Sequence, residues 1–173
     1  MDEDPADLSI RLLKRVRREE SVEDLEATLA GYDPGTLAGA LDTDARRKAF
    51  WCNVYNAYAQ VLVAERRDLY ERSRRRFFGL AAIEVAGWEL SLDRIEHRLL
   101  RRSQFAWSLG YLTNPFPGEF ERSLRVDAVD PRIHFALNCG ATSCPPHRRV
   151  HPRRHRRSAR PRDRIVPLRR GRL

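Results

Sequence analysis

Residues 49–65 read AFWCNVYNAYAQVLVAE. Phe50, Val54, Ala57, Val61 and Ala64 recur at helical spacing, and Trp51, Tyr55, Tyr58 and Leu62 widen the apolar face until it nearly encircles the axis. A helix of that kind needs cover on every side. The spacing therefore predicts a central buried helix from Asp44 to about Arg67, capped by Asp42 or Thr43. Two amides interrupt it, Asn53 and Asn56, three apart on one side. A buried amide left unpaired costs about 1–3 kcal/mol, so each must find a partner. The commoner outcome is a bond to nearby backbone; the functional one is that they line or orient a binding site.

Upstream, Ile10, Leu12, Leu13 and Val16 among cations mark an amphipathic helix over 9–18. Ser21 to Asp24 fits a capping box for a helix reaching Ala30 and stopped by Gly31, and Pro34-Gly35 reads as a turn. Downstream, residues 72–76 form a basic stretch expected to be a solvated loop. Residues 81–92, AAIEVAGWELSL, read as a hairpin about Ala86-Gly87. Ser91 opens a helix to about Arg101 with Leu92, Ile95 and Leu99 on one face, and Glu96 and His97 ride on it. Residues 110–118 and 127–131 are predicted loops.

Residues 132–146 read RIHFALNCGATSCPP. Ile133 to Leu137 is predicted to be a short, mostly buried strand feeding a polar loop, Asn138 to Ser143, that stops at Pro145-Pro146. Its reactive side chains are His134, Cys139 and Cys144. The fold class expected is α+β: N-terminal helices, a central buried helix, a small, mostly antiparallel sheet, and a disordered Arg-rich tail.

At 173 residues the chain can bury one core, and three cysteines without a disulfide framework suit reduced thiols in a cytoplasmic protein. The N-terminus is acidic and then amphipathic, unlike a signal peptide, and no apolar run reaches membrane length, so no membrane partner is expected. The net charge of +9 points to nucleic acid only superficially. Residues 147–173 hold twelve arginines and one aspartate, whereas residues 1–146 hold 21 basic and 23 acidic residues. The domain is therefore residues 1–146, and the basic tail has no apolar period and three prolines. It is a genuine arm for nucleic acid or a membrane surface, an inert extension, or a segment translated out of frame. The third reading is favoured, because CGN arginine codons read one base on encode Ala, Asp, Glu, Gly and Val. With suitable codon choices the tail after Pro146 then becomes IAAYTRDDIDAALDLATESYLSDGDG, an acidic amphipathic helix.

Three segments, residues 50–62 (FWCNVYNAYAQVL), 90–101 (LSLDRIEHRLLR) and 130–146 (DPRIHFALNCGATSCPP), together resemble the domain of unknown function 547 family (DUF547). The resemblance spans most of the chain from Phe50. It implies a cytoplasmic or secreted α+β domain and carries no established reaction; in larger plant relatives the domain is joined to other modules. Cys52 departs from the family pattern, where an apolar residue is usual, so it reads as a small buried hydrophobe. The family continues past the double proline with a helical segment that the shifted frame would restore.

The residues allow three chemistries. In thiol catalysis Cys139 or Cys144 is the nucleophile, His134 the base, His97 a second acid/base group, and the amides near Gly140 and Ala141 oxyanion donors. Glu96 is a candidate binding residue beside His97, but neighbours on a helix point about 100° apart, so it should not orient the ring. In metal binding, His97, His134, Cys139 and Cys144 form a zinc-type set, although the cysteine spacing is at the upper edge of a knuckle. A Cys139–Cys144 disulfide is the third. Against all three stands a structural role, with His134 inward and satisfied and the cysteines packed; taken alone, such residues are more often that. The leading enzymatic expectation is a Cys/His hydrolase or transferase without a cofactor. The competing class is a binding or scaffold domain with a structural Cys/His cluster.

Overall fold

The computed structural model describes residues 3–104 and 113–137. Local signals place most of its elements. Asp4 accepts a hydrogen bond from the Ala6 N–H at 2.8 Å and Pro5 fills the first helical position. Helix α1 (Pro5–Arg17) thus begins four residues before its amphipathic pattern does. Ser21 does not cap α2 (Glu23–Gly31); Val22 precedes it without a side-chain bond, and the Arg15–Asp24 ion pair at 2.6 Å ties the two helices instead. Pro34-Gly35 is no turn. Asp33 accepts from the Thr36 N–H at 2.8 Å, and proline at the first position is compatible with the helix α3 (Pro34–Ala40) that follows.

Helix α4 (Asp44–Glu65) starts behind Thr43, whose hydroxyl accepts from the Arg46 N–H. It buries Phe50, Trp51, Val54, Tyr55, Ala57, Tyr58, Ala59 and Leu62, and α1 packs along it. The apolar ring is not closed, because Val61 is half-buried and Ala64 exposed. The Trp51 indole donates to the Leu124 carbonyl at 3.0 Å, which satisfies a buried polar atom and ties the core of this helix to the chain at residue 124. No described helix is long and apolar enough to cross a membrane.

The basic stretch expected to be a loop is two short helices, α5 (Arg67–Arg72) and α6 (Arg74–Phe78), joined at Ser73. Aromatic packing of Tyr70, Phe77 and Phe78 outweighs the like charges around it. Strands β1 (Ile83–Val85) and β2 (Trp88–Leu90) pair antiparallel, with Ile83 opposite Leu90 and Val85 opposite Trp88. Their turn places Ala86 and Gly87 at φ 51° and 75°, the pattern of a type I′ turn. Ala86 tolerates this because its N–H and that of Gly87 donate to the Leu29 and Ala30 carbonyls at 2.9 Å, at the end of α2.

Ser91 caps α7 (Leu92–Arg94), which runs into a π-helix, Ile95–Leu100. After it, Arg102 and Ser103 both have positive φ, 51° and 63°. Helix α8 (Glu119–Leu124) had no expected counterpart. The predicted strand at Ile133 is instead helix α9 (Ile133–Ala136). A turn at Asp130-Pro131 leads into it: the Asp130 carboxylate accepts from the Arg132 N–H at 3.1 Å, and its carbonyl accepts from the Ile133 N–H, while the N-cap residue Arg132 makes no side-chain capping bond. Ile133 and Leu137, four apart, turn inward, while His134, Phe135 and Ala136 face out. The sheet among the described residues is therefore the hairpin alone. Cys139, Cys144 and the basic tail lie outside the described residues.

Candidate functional site

On a helix, residues four apart lie on one face. Asp44, Lys48, Cys52 and Asn56 form such a row on α4, and the chain from Asp127 to Ala136 lies along it. The Asp44 carboxylate accepts from the backbone N–H groups of Asp127 (2.7 Å) and Ala128 (2.9 Å). Lys48 pairs with Asp130 at 3.6 Å. The Asn56 amide donates to the Ala136 carbonyl at 2.9 Å. Arg47, one position off the row, donates to the Arg125 carbonyl at 3.2 Å and pairs with Asp127 at 3.0 Å. The chain thus leaves α9 toward residues 138–146 from an anchored point.

The row's charges are set by these contacts. Partial burial opposes ionisation of Asp44, but the two backbone donors, helped by Lys48 and Arg47, hold its carboxyl below the usual carboxylate range. The Arg132 guanidinium, its backbone N–H and the Lys48 charge hold the Asp130 carboxyl well below that range. Burial, aided by the nearby Asp130 charge and opposed by Lys48, pushes the Cys52 thiol up to about 11. At neutral pH Cys52 is a thiol packed against the core, as its reading as a small hydrophobe expects.

Asn53 belongs elsewhere. Its amide donates to the Ser9 hydroxyl at 3.2 Å, and that fully buried hydroxyl donates to the Ala6 carbonyl at 2.7 Å. Asn53 therefore joins α4 to α1, and only Asn56 reaches the segment that carries His134.

His97 is half-buried on the π-helix. Glu96 turns away from it to Arg101 at 2.8 Å, as the angle between helical neighbours requires. The nearby carboxylate is Asp93, one helical turn earlier: burial raises its pKa, His97 opposes the rise and Glu96 adds to it. A π-helix widens the backbone spiral locally and recurs at functional sites. Here it ends in two consecutive non-glycine residues with positive φ, a costly arrangement that surrounding contacts must hold. Those contacts exist. Ser103 is fully buried and its hydroxyl accepts from Arg125 at 2.7 Å; the Val126 N–H donates to the Leu99 carbonyl at 2.9 Å. The π-helix also packs on α4. The His97 element and the His134 segment thus share one scaffold and are tied together where Arg125 and Val126 meet Leu99 and Ser103.

His134 is exposed, its ring edge-on to Phe135 with centroids 5.7 Å apart. Among the described residues no hydrogen bond or ion pair joins it to His97, and no group of three or more His, Cys, Asp and Glu is arranged to hold a metal. The His97, His134, Cys139, Cys144 set needs two residues outside the described ones. Sequence reasoning missed Asp44, Lys48, Asp130 and Asp93. Spacing held the signal, since 44, 48, 52 and 56 step by four and Asp93 stands four before His97.

No curated protein and no solved structure matches the chain. The sequence profile of the family described as protein of unknown function, DUF547, matches residues 40–158. That span takes in the α4 row, the hairpin, His97, His134, Cys139 and Cys144, and it covers more than half of the chain. By that match this chain belongs to the DUF547 family.

Proposed function

We propose that this domain is a thiol-dependent hydrolase or transferase, with Cys139 or Cys144 as nucleophile, His134 as base and His97 as a second acid/base group. The thiol proton passes to a histidine as sulfur bonds to the substrate's acyl carbon. The carbonyl oxygen takes up the displaced electron pair and accepts hydrogen bonds from loop amides near Gly140 and Ala141. Collapse expels the leaving group, which takes the histidine's proton, and water or a second acceptor then resolves the thioester. Reduced thiols of this kind suit a cytoplasmic setting.

The observation that carries this reading is the outward-facing His134 on a segment anchored to α4. An inward, satisfied histidine is what a purely structural cluster needs, and His134 is exposed. The strained backbone at the end of the His97 π-helix supports it, since such strain collects at functional sites.

Iodoacetamide alkylation of the full chain between pH 6 and 9, with each cysteine read by mass spectrometry, tests the proposal. Cys52 is the internal unreactive thiol, since its pKa is pushed up to about 11. The expected result is that Cys139 or Cys144 alkylates with a midpoint below the free-thiol value of about 8.5, and that His134→Gln or His97→Gln raises that midpoint. Ordinary midpoints unmoved by both substitutions would overturn the proposal. So would bound zinc with alkylation only after chelation, which assigns the cluster to a structural metal site in a binding or scaffold domain.

A further inference from the structure

Residues 66–76 hold six arginines and two acidic residues, Asp68 and Glu71. All six arginines are exposed. The rest of residues 1–146 holds fifteen basic and twenty-one acidic residues, so this corner is an island of opposite sign on an acidic body. Two of the six are engaged. Arg67 pairs with Glu71 at 3.0 Å, and the Arg74 guanidinium sits over the Tyr70 ring, 4.7 Å from its centroid. Arg66, Arg72, Arg75 and Arg76 have no ion pair among the described residues.

The corner is rigid beneath its charge. Tyr70 and Phe77 are buried and meet edge to face at 5.1 Å, and Phe78 packs on both. The Ser73 hydroxyl accepts from the Arg76 N–H, fixing the bend between α5 and α6. Beside the bend lies an open depression of about 670 Å³ lined by Ser73, Arg75, Arg76, Gly79, Leu80 and Ala81. All six cations are arginine, whose planar fork matches phosphate oxygens two at a time.

We propose that the α5–α6 corner, with Arg75 and Arg76 over this depression, binds the phosphate groups of a soluble phosphorylated small molecule. A single-stranded nucleic acid is the weaker fit, because Tyr70 and Phe77 lie buried under the arginines and offer no ring for base stacking. A lipid headgroup carries the same phosphate chemistry, and the test separates it from the soluble ligand. This site is distinct from the proposed thiol chemistry, and neither stands or falls with the other.

The probe is tripolyphosphate, titrated at fixed ionic strength into the ¹⁵N-labelled full chain. Site-resolved amide shifts keep the arginines of the tail from masking the answer. The expected result is saturable shifts at residues 73–81, with affinity reduced about tenfold in Arg75→Gln/Arg76→Gln, partly retained in the Lys/Lys variant, and changed less than about twofold in Arg17→Gln/Arg18→Gln, which removes equal charge at the C-terminal end of α1. An unperturbed spectrum of each free variant shows that it is folded. Equal weakening by both glutamine variants, or shifts that never saturate, would overturn the site as mere net-charge attraction. Vesicles of phosphatidylcholine with and without phosphatidylserine form the second arm. Binding to the anionic vesicles through Arg75 and Arg76, without saturable tripolyphosphate binding, would overturn the soluble ligand in favour of headgroups.

Discussion

Asp44→Ala removes the carboxylate that holds the start of the His134 segment. Two backbone N–H groups, of Asp127 and Ala128, lose a charged acceptor at 2.7 and 2.9 Å. Hydrogen bonds to charged groups contribute about 1.5–3 kcal/mol each when well buried. Here the Asp44 side chain is 24% exposed, and residues 127 and 128 are exposed, so water replaces part of what is lost. Roughly half the buried value leaves about 2 kcal/mol for the pair, including a small contribution from an acidic group in the first turn of α4. For a domain of this size that is a fall of about 4–8 °C in melting temperature. The pH dependence follows from the carboxyl being held below the usual range. A depressed native pKa contributes stability that is complete above the unfolded value of about 3.9 and vanishes as pH falls through the native value. Urea melts of both proteins should differ by about 2 kcal/mol at pH 7 and converge in acid. Hydrogen exchange at residues 127–137 should accelerate at pH 7 more than exchange in the α4 core. A gap as large at pH 2.5 as at pH 7, or unchanged exchange in that segment, would refute the anchoring role of Asp44.

Asp93→Asn should act in the opposite direction. Burial raises the Asp93 pKa, so its ionised form weakens the fold as pH rises from the unfolded value through the native one. The variant should melt higher than the parent at pH 7 and equally at pH 3; a lower melting temperature at pH 7 would sink this account. The basic tail makes a separate proposal, that residues after Pro146 are read out of frame. Sequencing the gene across the codons for residues 145–149 should reveal a base gained or lost, and the restored frame should carry the DUF547 match beyond residue 158. An uninterrupted frame in independent sequencing rejects that idea.

The parts of this fold that were legible are those where a local signal and a packing demand agree. The α4 pattern demanded burial, Thr43 stood at its start, and the helix formed from Asp44 to Glu65. Ala86-Gly87 demanded a tight turn between short apolar runs, and β1 and β2 paired around it. The illegible parts are those where one signal has two meanings. Proline at 34 reads as a turn or as a first helical residue, and only the Asp33 cap, by accepting from Thr36, decides for the helix. The arginines at 72–76 read as a solvated loop because nothing local says that Tyr70, Phe77 and Phe78 will pack on one another beneath them. The π-helix left no mark at all, since a sequence periodicity of three and four does not distinguish it from an α-helix.

The misread strand at Ile133 matters most for function. Ile, Phe and Leu suggested a strand, and alternation on a strand would have sent His134 and Ala136 to the side opposite Ile133, Phe135 and Leu137. Asp130-Pro131 was the stronger signal, because the Asp130 carboxylate, accepting from the Arg132 N–H two residues on, and a proline with preset φ fold the chain into a turn just ahead of α9. In the helical turn the inward pair becomes Ile133 and Leu137, and Phe135 changes sides with the solvent. His134 gains an exposed position next to a chain held by Asn56 at Ala136. A histidine there faces solvent rather than the core. The residue whose surroundings the helix changes most is Phe135, which a strand would have placed beside Ile133 and Leu137 and the helix leaves exposed.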